Sequence, residues 1–404
     1  MSEIPRTQSA LLLHGAKQDY ELIDNHPVPE VERDSEILVE NRAIGLNPID
    51  WKAPDFNFGL PQLPYIAGRE LAGVVVKVPS ASQSWKIGDR PRGSQVAVIS
   101  TDYRDLRKAA YQQYVVAQSH TVVRLPQHIS FEDGSTFGVA FAAASIALGV
   151  SLGLDFSSIL DGPDLFKTVR EIGHDRLPSD IRDESLHGIE SFERAKSGDW
   201  IAIWGGSATS ANLTIQLAKL AGVKVAVVVD SAKHGIRLSA HPVIRPDLLV
   251  DSHDPKRAIE ILRASTQGNL RYGLDTRGKE SAGHLLKALE NNDASGYDGS
   301  VSPPSPPGTP SQSKPGRRHL VGLTGLPKDY TGRDVQLHTV PIKLFHESAA
   351  IGESLTSWAS RLLEKGILSP PDIIDVECGL RNVNIGLNRM RRGEICGGKL
   401  VVRV

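Results

Sequence analysis

The sequence predicts an α/β protein of two units, an N-terminal all-β unit and a doubly wound parallel sheet with helices on both faces. Three observations carry this. The first 130 residues read as short strands broken by proline and glycine. From Trp200 onward, strand-like and helix-like stretches alternate. In "IAIWGGSATSANLTIQLAKLAGVKVAVVVD" (201–230), two glycines follow an apolar run, a helical segment comes next, and a second apolar run ends in an acid. That is the order of a dinucleotide-binding turn.

The N-terminal strands are "SALLLHG", "DYELIDNHPVPEV", "SEILVENRAIGL", "ELAGVVVKV" (ended by "PSASQS"), "SQVAVIS", "YQQYVVA" and "HTVVRLP". Each mixes β-branched or alternating residues between turn formers. At "SFEDGSTFGVAFAAASIALG" the character changes. Ser130 followed by acids caps a long apolar helix expected from Phe131 to about Leu152. Its core, Phe137–Leu154, is uncharged over the length of a membrane span. It is rich in Ala, Gly and Ser and has no second span beside it, so it reads as a helix packed inside a soluble domain.

Asp155–Ser197 follows, polar and charged with no clear core face. The parallel-sheet strands are then "WIAIWGG", "VKVAVVVD", "DLLVDS", "LRYGLDT" and "RHLVGLTG", with helices between them. Asn291–Arg318 is Pro/Ser/Gly-rich and reads as a surface loop. After Asp334 come "VQLHTVPIKLF", an amphipathic helix "HESAAIGESLTSWASRLLEKG" and a last strand "GKLVVRV". This tail is expected to return to the N-terminal unit. The expected division is therefore 1–130 completed by 336–404, and 131–335 with loop insertions near 155–197 and 291–318.

With 404 residues, a formal net charge of -1 and no long basic block, nothing proposes a nucleic-acid or anionic-membrane partner. Two cysteines, Cys378 and Cys396, are too few for a disulfide framework or a thiolate metal site. The start "MSEIPRTQSALLLHG" lacks a basic n-region and a long apolar h-region, so a cytoplasmic location is expected.

At the glycine turn, Gly205 and Gly206 let the backbone approach a phosphate, and the following helix start adds free N–H groups and a favourable dipole. Ser207, Thr209 and Ser210 can donate hydroxyl hydrogen bonds, while Ala208 keeps the approach close. The residues after the second strand send two messages. Asp230 suits a ribose 2′-OH and hence NAD. Ser231, Lys233, His234 and Arg237 suit a 2′-phosphate and hence NADP.

The chain resembles the medium-chain dehydrogenase/reductase superfamily over nearly its whole length. The resemblance rests on "GLNPIDWKAPDF", "LPYIAGRELAGVVVKV", "KIGDRPRG", "GGSATSANLTIQLAKLAG" and "RRGEICGGKLVV". It implies a GroES-like β-barrel catalytic domain plus a Rossmann cofactor domain, with NAD(P)H between them. The zinc-dependent members carry a Cys and a Gly-His-Glu stretch. This chain has Asn47 near the Cys position and Arg69 in place of the His. Arginine stays protonated and cannot ligate Zn²⁺, so no catalytic metal is expected.

Within the zinc-free branch of quinone oxidoreductases and enoyl reductases, "NPIDWK" and "GGSATSA" resemble the fungal trans-acting enoyl reductases of polyketide biosynthesis. That resemblance implies NADPH, with NADH as the alternative, and a small-molecule or carrier-bound polyketide-like substrate supplied by a polyketide synthase. It places Lys52 beside the nicotinamide, and Ala143 where the family often has Thr.

Without a metal electrophile, a conjugated C=C–C=O is the easiest acceptor, because donors near its carbonyl oxygen can meet the enolate charge. Lys52 is assigned either that role or the binding of a cofactor hydroxyl or phosphate, with Asn47 orienting the same neighbourhood. Phe345 and His346 are expected on the cleft wall, with His346 a candidate proton donor. The backbone of Gly322, Leu323 and Thr324 is expected at the carboxamide edge. Reduction of quinones, aldehydes or imines in the same cleft stays open, as does a non-redox cyclase or binding protein on the same fold.

Overall fold

The structure is a computed structural model that describes residues 4–79, 94–290 and 316–404. The motif "KIGDRPRG" and residues 291–315 of the second loop insertion lie outside the described residues.

Strands β1 (Thr7–Leu12) and β2 (Glu21–Pro27) form a small antiparallel pair. β3 (Glu36–Gly45) is buried along most of its length because it pairs on both edges. One departure from the all-β expectation follows it. "PIDWKAPDF" is a helix, α1 (Pro48–Phe56). The Asp50 carboxylate accepts the Asn47 N–H at 2.9 Å and Pro48 opens the first turn, two local signals that start a helix. β4 (Glu70–Lys77), β5 (Gln95–Ile99), β6 (Tyr114–Gln118) and β7 (Val122–Arg124) complete the N-terminal strands.

The single helix expected from Phe131 is broken in two. α2 (Phe131–Gly134) stops because the Ser135 and Thr136 hydroxyls donate to the carbonyls of Glu132 (2.8 Å) and Asp133 (2.7 Å). α3 (Gly138–Ile146) then restarts and widens into a π-helical turn over Ala147–Ser151. By length and composition the stretch Phe131–Ser151 could cross a membrane, yet 89% of its apolar window is buried inside the protein.

The 155–197 insertion does have a core face, against expectation. It holds α4 (Leu165–Ile172) and α5 (Ser179–His187), and Leu165, Val169 and Leu177 join the same apolar cluster as Ile203 and Leu217. The four-residue spacing of Leu165 and Val169 is a helical signal that the surrounding charge concealed.

Next come β8 (Trp200–Trp204), α6 (Thr209–Leu220), β9 (Lys224–Val229), α7 (Ser231–Ala240), β10 (Leu248–Asp251), α8 (Pro255–Ser265), β11 (Leu270–Asp275), α9 (Lys279–Leu289), β12 (Arg318–Gly322) and β13 (Val335–Thr339). Their sheet order is β10-β9-β8-β11-β12-β13 and every pairing is parallel. The chain switches sides between β8 and β11, which opens a crevice at the strand C-termini. β13 sits at the sheet edge, where its buried His338 donates from Nδ1 to Glu184 of the insertion at 2.8 Å. His338 Nε2 lies 2.9 Å from His319 Nδ1, so the two rings share a hydrogen bond.

The division of the chain also falls later than residue 335. β13 pairs with β12, and α10 (Lys343–Glu347) and α11 (Ala349–Glu364) bury Phe345, Leu355 and Trp358 in the cluster that holds Ile203 and Val225. The return begins at β14 (Ile373–Cys378), runs through α12 (Val383–Arg391) and ends in β15 (Lys399–Arg403). β15 lies parallel to β14 and antiparallel to β3, with Val401 opposite Gly45. The N-terminal sheet is thus ordered β14-β15-β3-β4-β5-β7, with β6 also on β3.

Candidate active site

A cleft of about 950 Å³ lies between the C-terminal ends of β8, β9 and β11 on one side and α1 with the segment before β15 on the other. On the first side the chain bends at Gly205, where φ is +84°. A Cβ there would sit 2.2 Å from Thr276 Oγ1, so no other residue fits. The Thr276 hydroxyl lies 2.9 Å from the Gly205 carbonyl, to which it donates, and so fixes the bend. Gly206 serves packing instead. A Cβ there would meet Val227 Cγ1 at 2.0 Å, and Gly206 does not line the cleft.

α6 begins beyond the bend without a side-chain cap. By contrast Asp230 and Asp254 cap α7 and α8 by accepting from the N–H groups of Lys233 and Arg257. The first turn of α6 therefore leaves its N–H groups unclaimed by any cap, beside the cleft-lining Ser207, Thr209 and Ser210. A bend that only glycine fits, followed by an uncapped helix start, fits a diphosphate. The turn after β11 is braced by buried Asp275, which accepts from the N–H groups of Arg277 (3.0 Å) and Gly278 (2.7 Å). Burial raises the pKa of its carboxyl above the ordinary range.

At the end of β9 the two conflicting signals meet. Lys233 Nζ pairs with the Asp230 carboxylate at 3.2 Å. The Ser231 hydroxyl donates to Asp251 at 2.5 Å, and Arg237 donates to Asp372 at 2.6 Å. Ser231 and Arg237 are therefore turned to carboxylates outside the cleft lining, which keeps Asp230, Lys233 and His234. Partial burial, with Arg237 nearby, lowers the His234 imidazole below its usual pKa.

The opposite wall is a closed polar network. Asn47 Nδ2 donates to Glu70 Oε1 at 3.0 Å, and Lys399 Nζ donates to Asn47 Oδ1 at 2.7 Å while pairing with Glu70. Glu70 Oε2 accepts the Val139 N–H at 2.9 Å, which ties β4 to the start of α3. All three side chains are buried. Near the position where the zinc-dependent pattern has its Cys, this wall therefore holds the Asn47 amide, already bonded to a carboxylate and an ammonium. The Arg69 guanidinium donates to the Tyr65 hydroxyl at 2.9 Å. Among the described residues, no group of three His, Cys, Asp or Glu is placed to hold a metal ion. Under this wall Asp50 is fully enclosed, and burial pushes its carboxyl up to about 6.

Lys52 lines the cleft with Asn47, and its Nζ lies 5.6 Å from the Trp51 ring centre. Ala143, Ala208, Leu323 and Thr324 line it as well. Besides Gly206 and Ser231, three more expected residues lie elsewhere. Gly322 faces the Leu326 side chain, which a Cβ would meet at 2.6 Å. Phe345 is fully buried in the core. His346 sits in a separate small crevice with Thr101 and Asp102, its Nδ1 2.8 Å from Thr101 Oγ1. Burial holds its imidazole down at about 4. α10 packs its apolar side into the core, and that rotation takes both Phe345 and His346 away from the cleft.

Sequence reasoning missed Glu70, Lys399, Thr276 and Arg277. Glu70 and Lys399 stand inside quoted motifs, "GRE" and "GGKLVV", but their pairing across more than 300 positions leaves no local trace. Thr276 and Arg277 follow a strand end at the switch point, and that position was the available signal.

The alcohol dehydrogenase GroES-like domain model matches residues 33–127. The chain is similar to the trans-enoyl reductase resD of Aspergillus sclerotiorum, at 28% identity over 95% of this chain and 96% of the relative. It is similar to a trans-enoyl reductase of Gibberella fujikuroi at 26% identity over 99% of each. Among solved structures, the quinone oxidoreductase of Pseudomonas syringae matches with a TM-score of 0.66 and 17% identity, over 98% of this chain and all of that one. At that identity the likeness concerns the fold. The protein is an oxidoreductase similar to enoyl reductases along its whole length, with the two-domain α/β fold of the medium-chain dehydrogenases/reductases.

Proposed function

We propose that this oxidoreductase is an NADPH-dependent, metal-independent reductase of an activated C=C, an enoyl or enone group in a polyketide-like intermediate presented free or on a carrier by a polyketide synthase. One observation carries the reading. The cleft sets an anion-ready bend at Gly205–Ser210 across from Lys52, which has no carboxylate partner among the described residues.

When bound, the dinucleotide supplies hydride. The residues Gly205, Ser207, Thr209 and Ser210 would hold its diphosphate, and Leu323 and Thr324 its nicotinamide end. Lys52 meets the negative charge that develops on the carbonyl oxygen, and a side chain or water then protonates the α carbon of the enolate to complete the reduction. Asn47 keeps its place because Glu70 and Lys399 hold both ends of its amide. The donor set on that wall disfavours a metal electrophile, since Arg69 stands in place of the ligating His and the Asn47 amide, near the Cys position, is already bonded to Lys399 and Glu70. NADPH over NADH is supported by Lys233, which already offsets the Asp230 charge that would otherwise repel a 2′-phosphate.

The test is oxidation of NADPH with α,β-unsaturated thioesters against quinones and aldehydes, followed by the absorbance of the reduced nicotinamide. Turnover of the thioesters is expected. Tight NADPH binding without turnover of any acceptor would move the protein to the non-redox class.

A further inference from the structure

We propose that Arg277 is the arm that neutralises the coenzyme's pyrophosphate, an inference that rests on the coenzyme reading above. Charge singles out the candidates. Of the cations around the cleft, Lys233 is offset by Asp230 at 3.2 Å, Lys399 by Glu70, and Arg237 is drawn off by Asp372. Lys52 and Arg277 line the cleft with no carboxylate partner among the described residues, and they stand on opposite walls.

Position then separates these two. Arg277 Cγ lies directly over the bend, since a Cβ added at Gly205 would be 2.7 Å from it. Its backbone is fixed by Asp275, which accepts the Arg277 N–H at 3.0 Å. The guanidinium is therefore tethered within a few bonds of the phosphate-binding turn. Asp230 and Lys233 lie at the end of β9, on the other side of β8, where the adenosine ribose belongs. A diphosphate carries about two negative charges, and a helix start supplies the equivalent of roughly half a positive charge. The backbone alone leaves that deficit. A guanidinium fills it with two parallel N–H donors, a geometry that lysine lacks.

The experiment is calorimetric titration of the full-length protein and its Arg277→Ala and Arg277→Lys variants with NADPH and with NADH. Both coenzymes share the pyrophosphate and differ in the 2′-phosphate. Arg277→Ala is expected to weaken both by the same factor, on the order of tenfold to a hundredfold, and Arg277→Lys by less. The salt dependence of binding should also become shallower in Arg277→Ala. Because the side chain is exposed, an unchanged circular-dichroism melt is expected for each variant. A loss confined to NADPH would reassign Arg277 to the 2′-phosphate and overturn the proposal. Unchanged affinity for both would overturn it while leaving the coenzyme reading intact. Wild-type protein that takes up neither coenzyme would overturn both.

Discussion

The two walls of the cleft treat their polar groups in opposite ways. On the Rossmann side, Gly205 and the uncapped start of α6 leave N–H groups open, and Arg277 keeps a charge without a carboxylate among the described residues. On the barrel side, Asn47, Glu70 and Lys399 satisfy one another in a buried triangle that also anchors Val139. One wall is unfinished and ready for an anion. The other is complete and holds its shape. A buried ion pair is costly to break but adds little net stability, so the triangle is better understood as fixing the position of Asn47 beside Lys52.

Breaking the closed wall should have the largest effect. Lys399→Met strands the buried Glu70 charge, and about 3–5 kcal/mol of stability should be lost in chemical denaturation. Adding Glu70→Gln should restore part of it, and no recovery would mean that the triangle is not acting as a unit. On the open wall, Gly205→Val adds a strained φ and a clash with Thr276, together about 4 kcal/mol. Coenzyme binding should vanish in calorimetry, and retained affinity would place the diphosphate elsewhere.

Asp50 sharpens the contrast through pH. Its folded pKa of about 6 lies above the ordinary 3.8, so the folded protein binds the proton more tightly than the unfolded chain. The stabilisation is complete below the lower value and is lost as pH rises through the higher one. The shift corresponds to roughly 3 kcal/mol. Asp50→Asn should gain stability relative to wild type by about that amount across this window, and parallel pH profiles would refute the buried titration. Lys52→Ala, which leaves both walls folded, should lower kcat about a hundredfold with little change in coenzyme affinity. If affinity falls instead, Lys52 belongs to the coenzyme rather than to the substrate oxygen.

Much of this could be read along the chain. The bend lies in "WIAIWGGSATSA" and the alternation after Trp200 is a true parallel sheet, because strand-turn-helix patterns are local. The misreadings share one cause. α1 is short and stands among strands, and its two start signals, Pro48 and Asp50 reaching back to Asn47, are read only once the turn itself is recognised. The insertion reads as coreless along the chain because Leu165 and Val169 are few among charges, and their partners lie in another part of the chain. His346 is expected at the cleft and lies elsewhere because nothing in "KLFHE" says which side of a short helix meets the core.

The order of apolar runs, glycines and caps by itself determined the fold class, the doubly wound sheet and the place of the glycine bend. These follow from backbone geometry and short-range periodicity, which a linear text records. Which carboxylate answers which cation was decided only by the tertiary structure. It set Asp230 against Lys233, Glu70 against Lys399 and Asp372 against Arg237, and left Arg277 in the cleft without a carboxylate among the described residues. Charge pairing acts over a few ångströms of space and is indifferent to distance along the chain.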